Sequence, residues 1–336
     1  MDLKTLTEIN APSGHEQAIR RFLLDELKKL GFATVLDRMG NVVVVKEGMG
    51  DAPRKRVMVS AHMDEVGLIV TSATEDGYLR IAAAGGIDPR VLVSKRVTVG
   101  EDKLPGVIGA VPIHLQSAAE RKHVLSMDEL LVDIGAKDKD EAERKAPMGT
   151  YISFDTPYVE YGDGFACGKA FDDRVGCLSL LRLLQEELPV DLVACFVSEE
   201  EVGCRGAKGA AFQQEPDIGI VLEGTTCNDL GDVPETAHVC EAGQGVAVSF
   251  MDGASIANRA LFRKALDVAK QENIPHQVKH SVSGGNDGGA IQRAREGVPV
   301  VVLSVPCRYI HSPSSVVKLS DVESQFALVK ALVKAL

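Results

Sequence analysis

The chain has 336 residues, of which 45% are hydrophobic and 25% are charged; this composition is average for a globular protein, so disordered and fibrous classes are excluded. The net charge of −11 and the aromatic content of 4%, without tryptophan, argue against a nucleic-acid or anionic-membrane surface, because such surfaces need clustered basic and stacking side chains. A chain of this length tends to divide into two unequal domains.

Seven cysteines are scattered along the chain without a C-x-x-C pair. An odd, scattered set predicts neither a disulfide framework nor a zinc knuckle, and it fits a reducing compartment. The amino-terminal sequence MDLKTLTEINAPSGHE has no apolar signal region, and no apolar run approaches the ~18 residues of a membrane span. We therefore expect a cytoplasmic protein that binds no membrane.

The first predicted elements are a helix and two buried strands. Ser13 and Glu16 have the spacing of a capping box, and apolar residues then recur at helical spacing until Gly31. Residues 41–45 and 56–61 are short, β-branched apolar runs, which are typical of buried strands. The chain thus begins with a helix followed by strands of an α/β sheet.

Residues 67–160 have a different sequence pattern from the rest of the chain. Short Val and Ile runs alternate there with Gly, Asp and Pro, as around Gly85 and Gly86. This pattern predicts a small β-rich barrel or sandwich. We interpret residues 67–160 as a domain inserted into a catalytic domain that comprises residues 1–66 and 161–336.

The remaining sequence alternates between amphipathic helices and continuous apolar strands. This alternation predicts an α/β fold with a mostly parallel or mixed sheet flanked by helices. Helices are predicted at 172–188, 261–270 and 324–336, and strands at 192–197, 218–222 and 298–305.

Ionisable residues follow several of these strands, at the edge where α/β sheets bind their ligands. Each has a structural explanation when taken singly, but carboxylates gathered in one crevice repel each other and lose hydration unless cations offset the cost. Two histidines with several carboxylates suit Zn²⁺, Co²⁺ or Mn²⁺, and the number of candidates exceeds the three protein ligands of one catalytic zinc. We therefore expect two divalent ions; the candidate residues are His62, Asp64, Asp172, Asp173, Glu199, Glu200, Glu201, Glu223 and His311.

Five segments that contain these residues carry a family resemblance over nearly the whole chain. They are AHMDEVG at 61–67, GKAFDDR at 168–174, EEVG at 200–203, LEGTT at 222–226 and RYIHSP at 308–313. Their order and spacing resemble the signatures of the glutamyl aminopeptidase and tetrahedral aminopeptidase family of dinuclear metallo-exopeptidases. The resemblance implies that His62 and Glu223 hold one ion, that Glu201 and His311 hold the other, and that Asp172 bridges both.

The resemblance also implies roles for residues that bind no metal. Glu200 matches the general base, and Asp64 matches a carboxylate that orients His62. The family commonly has a cis peptide after its bridging aspartate, which here is the bond between Asp172 and Asp173. The triplet 199–201 leaves open a shift of one position, and the following Val-Gly is used to assign the base.

These expectations describe a metal-dependent aminopeptidase that hydrolyses the amino-terminal peptide bond of short peptides. A water shared by two divalent ions loses a proton near neutral pH, and Glu200 would pass that proton to the leaving amine. The alternatives are a dinuclear carboxypeptidase or N-deacylase, a glycoside hydrolase of the endoglucanase type that uses two carboxylates, and an inactive scaffold. Arg308 and Lys169 leave open a preference for acidic amino-terminal residues.

The inserted segment supplies none of the expected ligands, so we expect it to serve assembly. The resemblance implies a PDZ-like dimerisation domain and dimers that associate into a tetrahedral dodecamer. A monomer whose insert shields the cleft is the alternative. The loop Gly284–Gly289 resembles a family loop that usually has Thr where this chain has Asn286, and its role stays open.

Overall fold

The computed structural model describes residues 2–336, which form a large mixed sheet flanked by helices and a closed antiparallel barrel. The helices are α1 (Leu3–Thr7), α2 (Gln17–Lys29), α3 (Lys139–Lys145), α4 (Phe171–Leu183), α5 (Arg205–Gln214), α6 (Arg259–Gln271), α7 (Asp287–Gln292) and α8 (Leu319–Lys334). The strands are β1 (Val35–Leu36), β2 (Val42–Lys46), β3 (Arg56–His62), β4 (Gly67–Ala73), β5 (Leu79–Ala84), β6 (Arg96–Val99), β7 (Leu104–Gly109), β8 (Leu131–Asp133), β9 (Tyr151–Phe154), β10 (Val159–Tyr161), β11 (Phe165–Gly168), β12 (Asp191–Val197), β13 (Ile218–Thr226), β14 (Val246–Ser249), β15 (His276–Val278), β16 (Val300–Arg308) and β17 (Ser315–Lys318).

Four parallel strands form the centre of the 11-stranded sheet, in the order β12-β3-β13-β16. Strands β2, β14 and β17 add to them in antiparallel orientation. Alternate residues of β12 enter two apolar cores, one beneath α4 and α8 and one beneath α5 and α7. Helices on both faces explain why the central strands are continuously apolar in sequence.

The barrel closes in the order β4-β5-β8-β7-β6-β9, with every neighbouring pair antiparallel. It has its own apolar core, to which Leu68, Leu79, Ile108, Val132 and Ile152 contribute fully buried side chains. The chain returns to the main sheet at β10, which pairs with β11. The predicted combination of an α/β sheet with a β-barrel is confirmed, while the division into a catalytic and an inserted domain remains our interpretation.

Two of the predicted helices differ from the structure. Helix α2 begins at Gln17, and Ser13 does not cap it, because the Ser13 hydroxyl donates to the buried carboxylate of Asp64 instead. Helix α4 ends at Leu183, five residues before the predicted end at Leu188. The apolar side chains beyond its end are buried in the core from non-helical backbone, so their spacing reflected burial alone.

The other predicted elements are present, with shifted ends. Strands β13 and β16 continue beyond the predicted ends at 222 and 305, and α8 begins at Leu319, before the predicted start at 324. Across residues 2–336, no helix has the length and apolar character that crossing a membrane requires.

Candidate metal centre

The parallel strands bring most of the predicted ligands to one edge of the sheet. His62 is the last residue of β3, Glu201 follows the end of β12, and Glu223 lies within β13. Asp172 lies in the first turn of α4, which packs on β3 and β13, and His311 follows β16. Because parallel strands end at the same edge, residues distant in sequence meet there.

The side chain of Asp172 lies between two pairs of ligand candidates. Its Oδ1 is 3.2 Å from His62 Nε2, which in turn is 3.5 Å from Glu223 Oε2. Its Oδ2 is 3.5 Å from His311 Nε2, which is 3.2 Å from Glu201 Oε2. One carboxylate thus presents a separate oxygen to each histidine–glutamate pair.

The donors at this centre fit divalent cations. Two groups of three residues each offer ligand atoms that all lie within 4.8 Å of one another. One group is His62, Asp172 and Glu201, and the other is His62, Asp173 and Glu223. Within the described chain, Glu223 Oε1 is buried without a hydrogen-bond partner, which is unfavourable unless a cation binds it. Imidazole and carboxylate donors in this combination suit Zn²⁺, Co²⁺ or Mn²⁺.

The protonation of the centre shows how strongly its charges depend on each other. Burial raises the pKa of Glu201 and of Glu223 to about 8 each, because their charged forms lose hydration. Burial acts to lower the pKa of His311, but its hydrogen bond with Asp172 and the nearby Glu201 outweigh this and raise the pKa to about 9. A cation bound here would compete with protons for the same carboxylate oxygens and imidazole nitrogens.

Asp64 holds the loop that carries the two candidate glutamates. Its carboxylate accepts hydrogen bonds from the backbone N–H groups of Glu200 at 3.0 Å and Glu201 at 3.2 Å, and from the Ser13 hydroxyl at 2.6 Å. Its Oδ1 also lies 3.5 Å from His62 Nδ1, while the backbone carbonyl of Asp64 is closer, at 3.1 Å. Asp64 thereby connects the histidine of one half of the centre to the loop of the other.

Asp173 is among the ligand candidates from the sequence, and the structure places it under His62. Its fully buried carboxylate accepts the backbone N–H of His62 at 3.2 Å and that of Gly176 at 3.0 Å. A side chain at Gly176 would collide with this carboxylate, since a Cβ would lie 2.4 Å from Asp173 Oδ2. The peptide bond between Asp172 and Asp173 is cis, as the resemblance implied.

The loop Gly284–Gly289 leads into α7, and Asn286 caps this helix. Asn286 Oδ1 accepts the backbone N–H of Gly288 at 2.8 Å, and its amide donates to Asp252 Oδ2 at 2.8 Å. The next residue, Asp287, is not among the residues predicted from the sequence, and its buried carboxylate lies near Glu200. An acidic residue within a glycine-rich loop, directly before an apolar stretch, was the signal available in the sequence.

Lys169 and Arg308 could favour substrates with an acidic amino-terminal residue, but both are paired with carboxylates of the chain. Lys169 is buried and its Nζ contacts the two carboxylate oxygens of Glu65 at 2.7 and 2.8 Å. Arg308 forms a two-pronged pair with Asp229 at 2.8 and 2.7 Å. Their charges are therefore neutralised within the chain.

The barrel reaches the centre through two glycines that follow β5. A Cβ at Gly85 would lie 3.4 Å from Glu201 Cβ, and a Cβ at Gly86 would lie 3.5 Å from His311 Nδ1. Gly85 also has a φ of 103°, which residues with side chains rarely adopt. The barrel thus contributes a wall without side chains beside one half of the centre, although it contributes no ligand.

A mixed sheet with the buried His62, the more exposed His311 and several carboxylates at its carboxyl edge has the features of metal-dependent hydrolases. The family described as M42 glutamyl aminopeptidase matches residues 40–328 of the chain. The chain belongs to this family, and it is a metal-dependent aminopeptidase.

Known relatives resemble the chain over its full length. It is 33% identical to a lysyl aminopeptidase of Pyrococcus furiosus, covering 99% of this chain and 96% of the relative. It is 32% identical to a glutamyl aminopeptidase of Lactococcus lactis, covering 99% of this chain and 95% of the relative.

Solved structures share the fold at similar identity. A TET aminopeptidase from a marine sediment archaeon of the Thaumarchaeota superposes with a TM-score of 0.94 at 33% identity, over 99% of this chain and 95% of the other. The TET1 peptidase of Pyrococcus horikoshii, described as able to assemble into a tetrahedron or a large octahedral shell, has a TM-score of 0.87 at 33% identity, with 99% and 98% covered. A protein of Thermotoga maritima described as an endoglucanase has a TM-score of 0.82 at 34% identity, with 100% and 97% covered.

Proposed function

We propose that the chain uses two divalent ions, Zn²⁺ or Co²⁺ or alternatively Mn²⁺, to remove residues from the free amino terminus of short peptides. The observation that supports this proposal is the position of Asp172, whose two oxygens face different histidine–glutamate pairs. His62 and Glu223 would hold one ion, Glu201 and His311 the other, and Asp172 both.

Different residues of the centre would have different roles in peptide hydrolysis. Divalent ions bound there would supply Lewis acidity, which favours deprotonation of water and polarises the scissile carbonyl. Glu200 would take the proton from the attacking water and deliver it to the leaving amine. Burial raises the pKa of Glu200 well above its usual value, because the charged carboxylate loses hydration. Asp64 would fix the backbone of Glu200, and thereby the direction of its carboxylate.

Recognition of the free amino terminus distinguishes this function from related peptidases. A carboxypeptidase would need a free cation for the substrate carboxylate, and Lys169 and Arg308 are both occupied by acidic partners. The experiment is a comparison of one short peptide with a free and with an acetylated amino terminus. Turnover of the free peptide alone supports the proposal, whereas equal cleavage of both forms contradicts it and favours a deacylase or an endopeptidase.

A glycoside hydrolase remains the second candidate because one similar structure is described as an endoglucanase. In such an enzyme two carboxylates act without metal. The paired imidazoles beside Asp172 have no part in that chemistry, whereas they are ordinary ligands of divalent ions. Hydrolysis of a β-glucan that persists in chelator would decide for the glycosidase.

We further propose that the barrel mediates assembly of dimers into a dodecamer. The segment between β7 and β8 exposes Val111, Ile113, Leu115 and Val124, an apolar surface that is unfavourable in water. The Pyrococcus horikoshii TET1 peptidase, which has the same fold, assembles into closed shells. Closed assembly would bury this segment between copies of the chain and restrict access to short or unfolded peptides.

A reducing, cytoplasmic location is consistent with the cysteines. All seven are free thiols, and five of them are buried in the core. Disulfides are rare in such compartments.

A further inference from the structure

A third group of metal-binding side chains lies beside the proposed centre. Asp287, the first residue of α7, is 1% exposed. Glu200 and Cys204 lie on the connection between β12 and α5. One ligand atom from each of these three residues lies within 4.8 Å of the other two.

Asp287 is the unusual member of this group. Among residues 2–336, neither of its carboxylate oxygens has a hydrogen-bond partner, although both are buried. The nearby Cys204 thiol lies close to Glu200, with Sγ 3.4 Å from Glu200 Oε1. A buried carboxylate without a donor is costly, and a cation is the partner that would offset the cost.

We propose that Glu200, Cys204 and Asp287 form a third cation site, and that a zinc ion bound there inhibits the enzyme. A tetrahedral zinc site with bonds of about 2.0–2.3 Å separates neighbouring ligand atoms by roughly 3.3–3.8 Å. The 3.4 Å between Cys204 Sγ and Glu200 Oε1 falls in this range. Binding replaces the thiol proton, which is released to solvent, and forms the metal–thiolate bond.

The sulfur ligand makes this site different from the proposed dinuclear centre. Asp172 and the four residues around it offer nitrogen and oxygen donors only, whereas Cys204 adds a thiolate. Thiolates select zinc and cadmium over manganese, which prefers oxygen. An excess of Zn²⁺ should therefore fill the third site under conditions in which an excess of Mn²⁺ does not.

The inhibitory effect rests on the proposed role of Glu200 as the base. A carboxylate bound to a cation loses the basicity that proton transfer requires. Zinc should then have two opposite effects on turnover, activation by the first ions and inhibition by excess. The location of the cysteine makes the two effects separable by mutation.

The test that does not depend on turnover is a titration of the protein with Cd²⁺, followed by the ultraviolet charge-transfer absorption of cadmium–thiolate bonds. The band should appear in the wild type and in Cys167→Ala, the matched control that removes a partly exposed cysteine of β11. It should be lost in Cys204→Ala and weakened in Asp287→Asn. Cys204→Ser, which keeps the size of the side chain, replaces the alanine variant if that variant fails to fold. A band of wild-type strength in a folded Cys204 variant would overturn the site.

The second measurement is inhibition by Zn²⁺ in enzyme that has been activated with Mn²⁺. Loss of Cys204 should raise the inhibitory zinc concentration by at least about tenfold, since loss of even an outer-sphere partner weakens metal sites by that factor. Equal inhibition of the wild type and Cys204→Ala would contradict the inhibitory role. Failure of the proposed aminopeptidase function would look different, because the cadmium band would persist in a protein without peptidase activity.

Discussion

The carboxyl edge of the main sheet and the barrel bury different kinds of side chains. At the sheet edge, charged groups are buried and oriented by one another, as where Asp64 accepts the backbone N–H groups of Glu200 and Glu201. The barrel is made of short strands around an independent apolar core, and two glycines, Gly85 and Gly86, lie where it approaches the centre. The candidate ligands thus all lie at the sheet edge, and the barrel supplies none of them. Changes in the two regions should therefore have effects of different kinds.

The largest effect is expected from removal of the metal, which acts on the sheet edge alone. Chelation should abolish peptidase activity, because the carboxylates and imidazoles around Asp172 supply no Lewis acid themselves. Activity should return on addition of Zn²⁺ or Co²⁺, while the circular dichroism of the barrel and sheet stays unchanged. Full activity in protein shown by elemental analysis to be free of metal would refute the mechanism.

The next largest effect is expected from Glu200→Gln. Loss of the base should lower kcat by roughly 10²–10⁴-fold, the usual contribution of proton transfer, with the metal content unchanged. The matched control is Glu199→Gln, which removes only the ion pair with Arg205 at 3.1 Å and should change kcat little. If Glu199→Gln loses the activity instead, or if Glu200→Gln loses metal, the assignment of the base is off by one position.

Part of the candidate site could be predicted from the sequence alone. The apolar runs of β3, β12 and β13 placed His62, Glu201 and Glu223 at one sheet edge, because strand order matters little when parallel strands share an edge. The proposed bridging role of Asp172 rests on the family resemblance and not on periodicity.

Other features of the site depended on tertiary contacts that a pattern cannot show. Ser13 has the spacing of a helix cap, yet it donates to Asp64, which is 51 positions away. Asp287 is an ordinary acidic residue in a glycine-rich loop until the fold buries it beside Glu200. Gly86 lies close enough to His311 that a Cβ there would stand 3.5 Å from Nδ1, which brings together two regions that are far apart in sequence.

A smaller effect is expected where the two regions touch. Gly86→Val should lower kcat/KM severalfold without loss of metal, because a branched side chain would stand about 3.5 Å from His311 Nδ1 and narrow access to the centre. The control is Gly109→Ala within the barrel, where a Cβ would meet its nearest atom at 3.9 Å. An unchanged kcat/KM for Gly86→Val would show that this wall does not face the substrate.

The smallest effect on chemistry is expected from changes in the exposed segment of the barrel. Ile113→Asp combined with Leu115→Asp places charges on the apolar surface and should dissociate the assembly, as light scattering would show. Hydrolysis of a dipeptide per subunit should fall less than twofold, since this segment provides no ligand. A wild-type protein that scatters as a single chain of 35.9 kDa would instead refute assembly.

The central claim is that Asp172 is shared by two ion sites with different histidines. The most direct measurement is anomalous diffraction from crystals grown with Zn²⁺, for the wild type and for His62→Ala and His311→Ala. The wild type should show one anomalous peak on each side of Asp172, beside His62 and Glu223 on one side and beside Glu201 and His311 on the other. At limiting zinc, each variant should lose the peak beside its missing histidine and keep the other. A single peak in the wild type, or loss of the same peak in both variants, would contradict the claim.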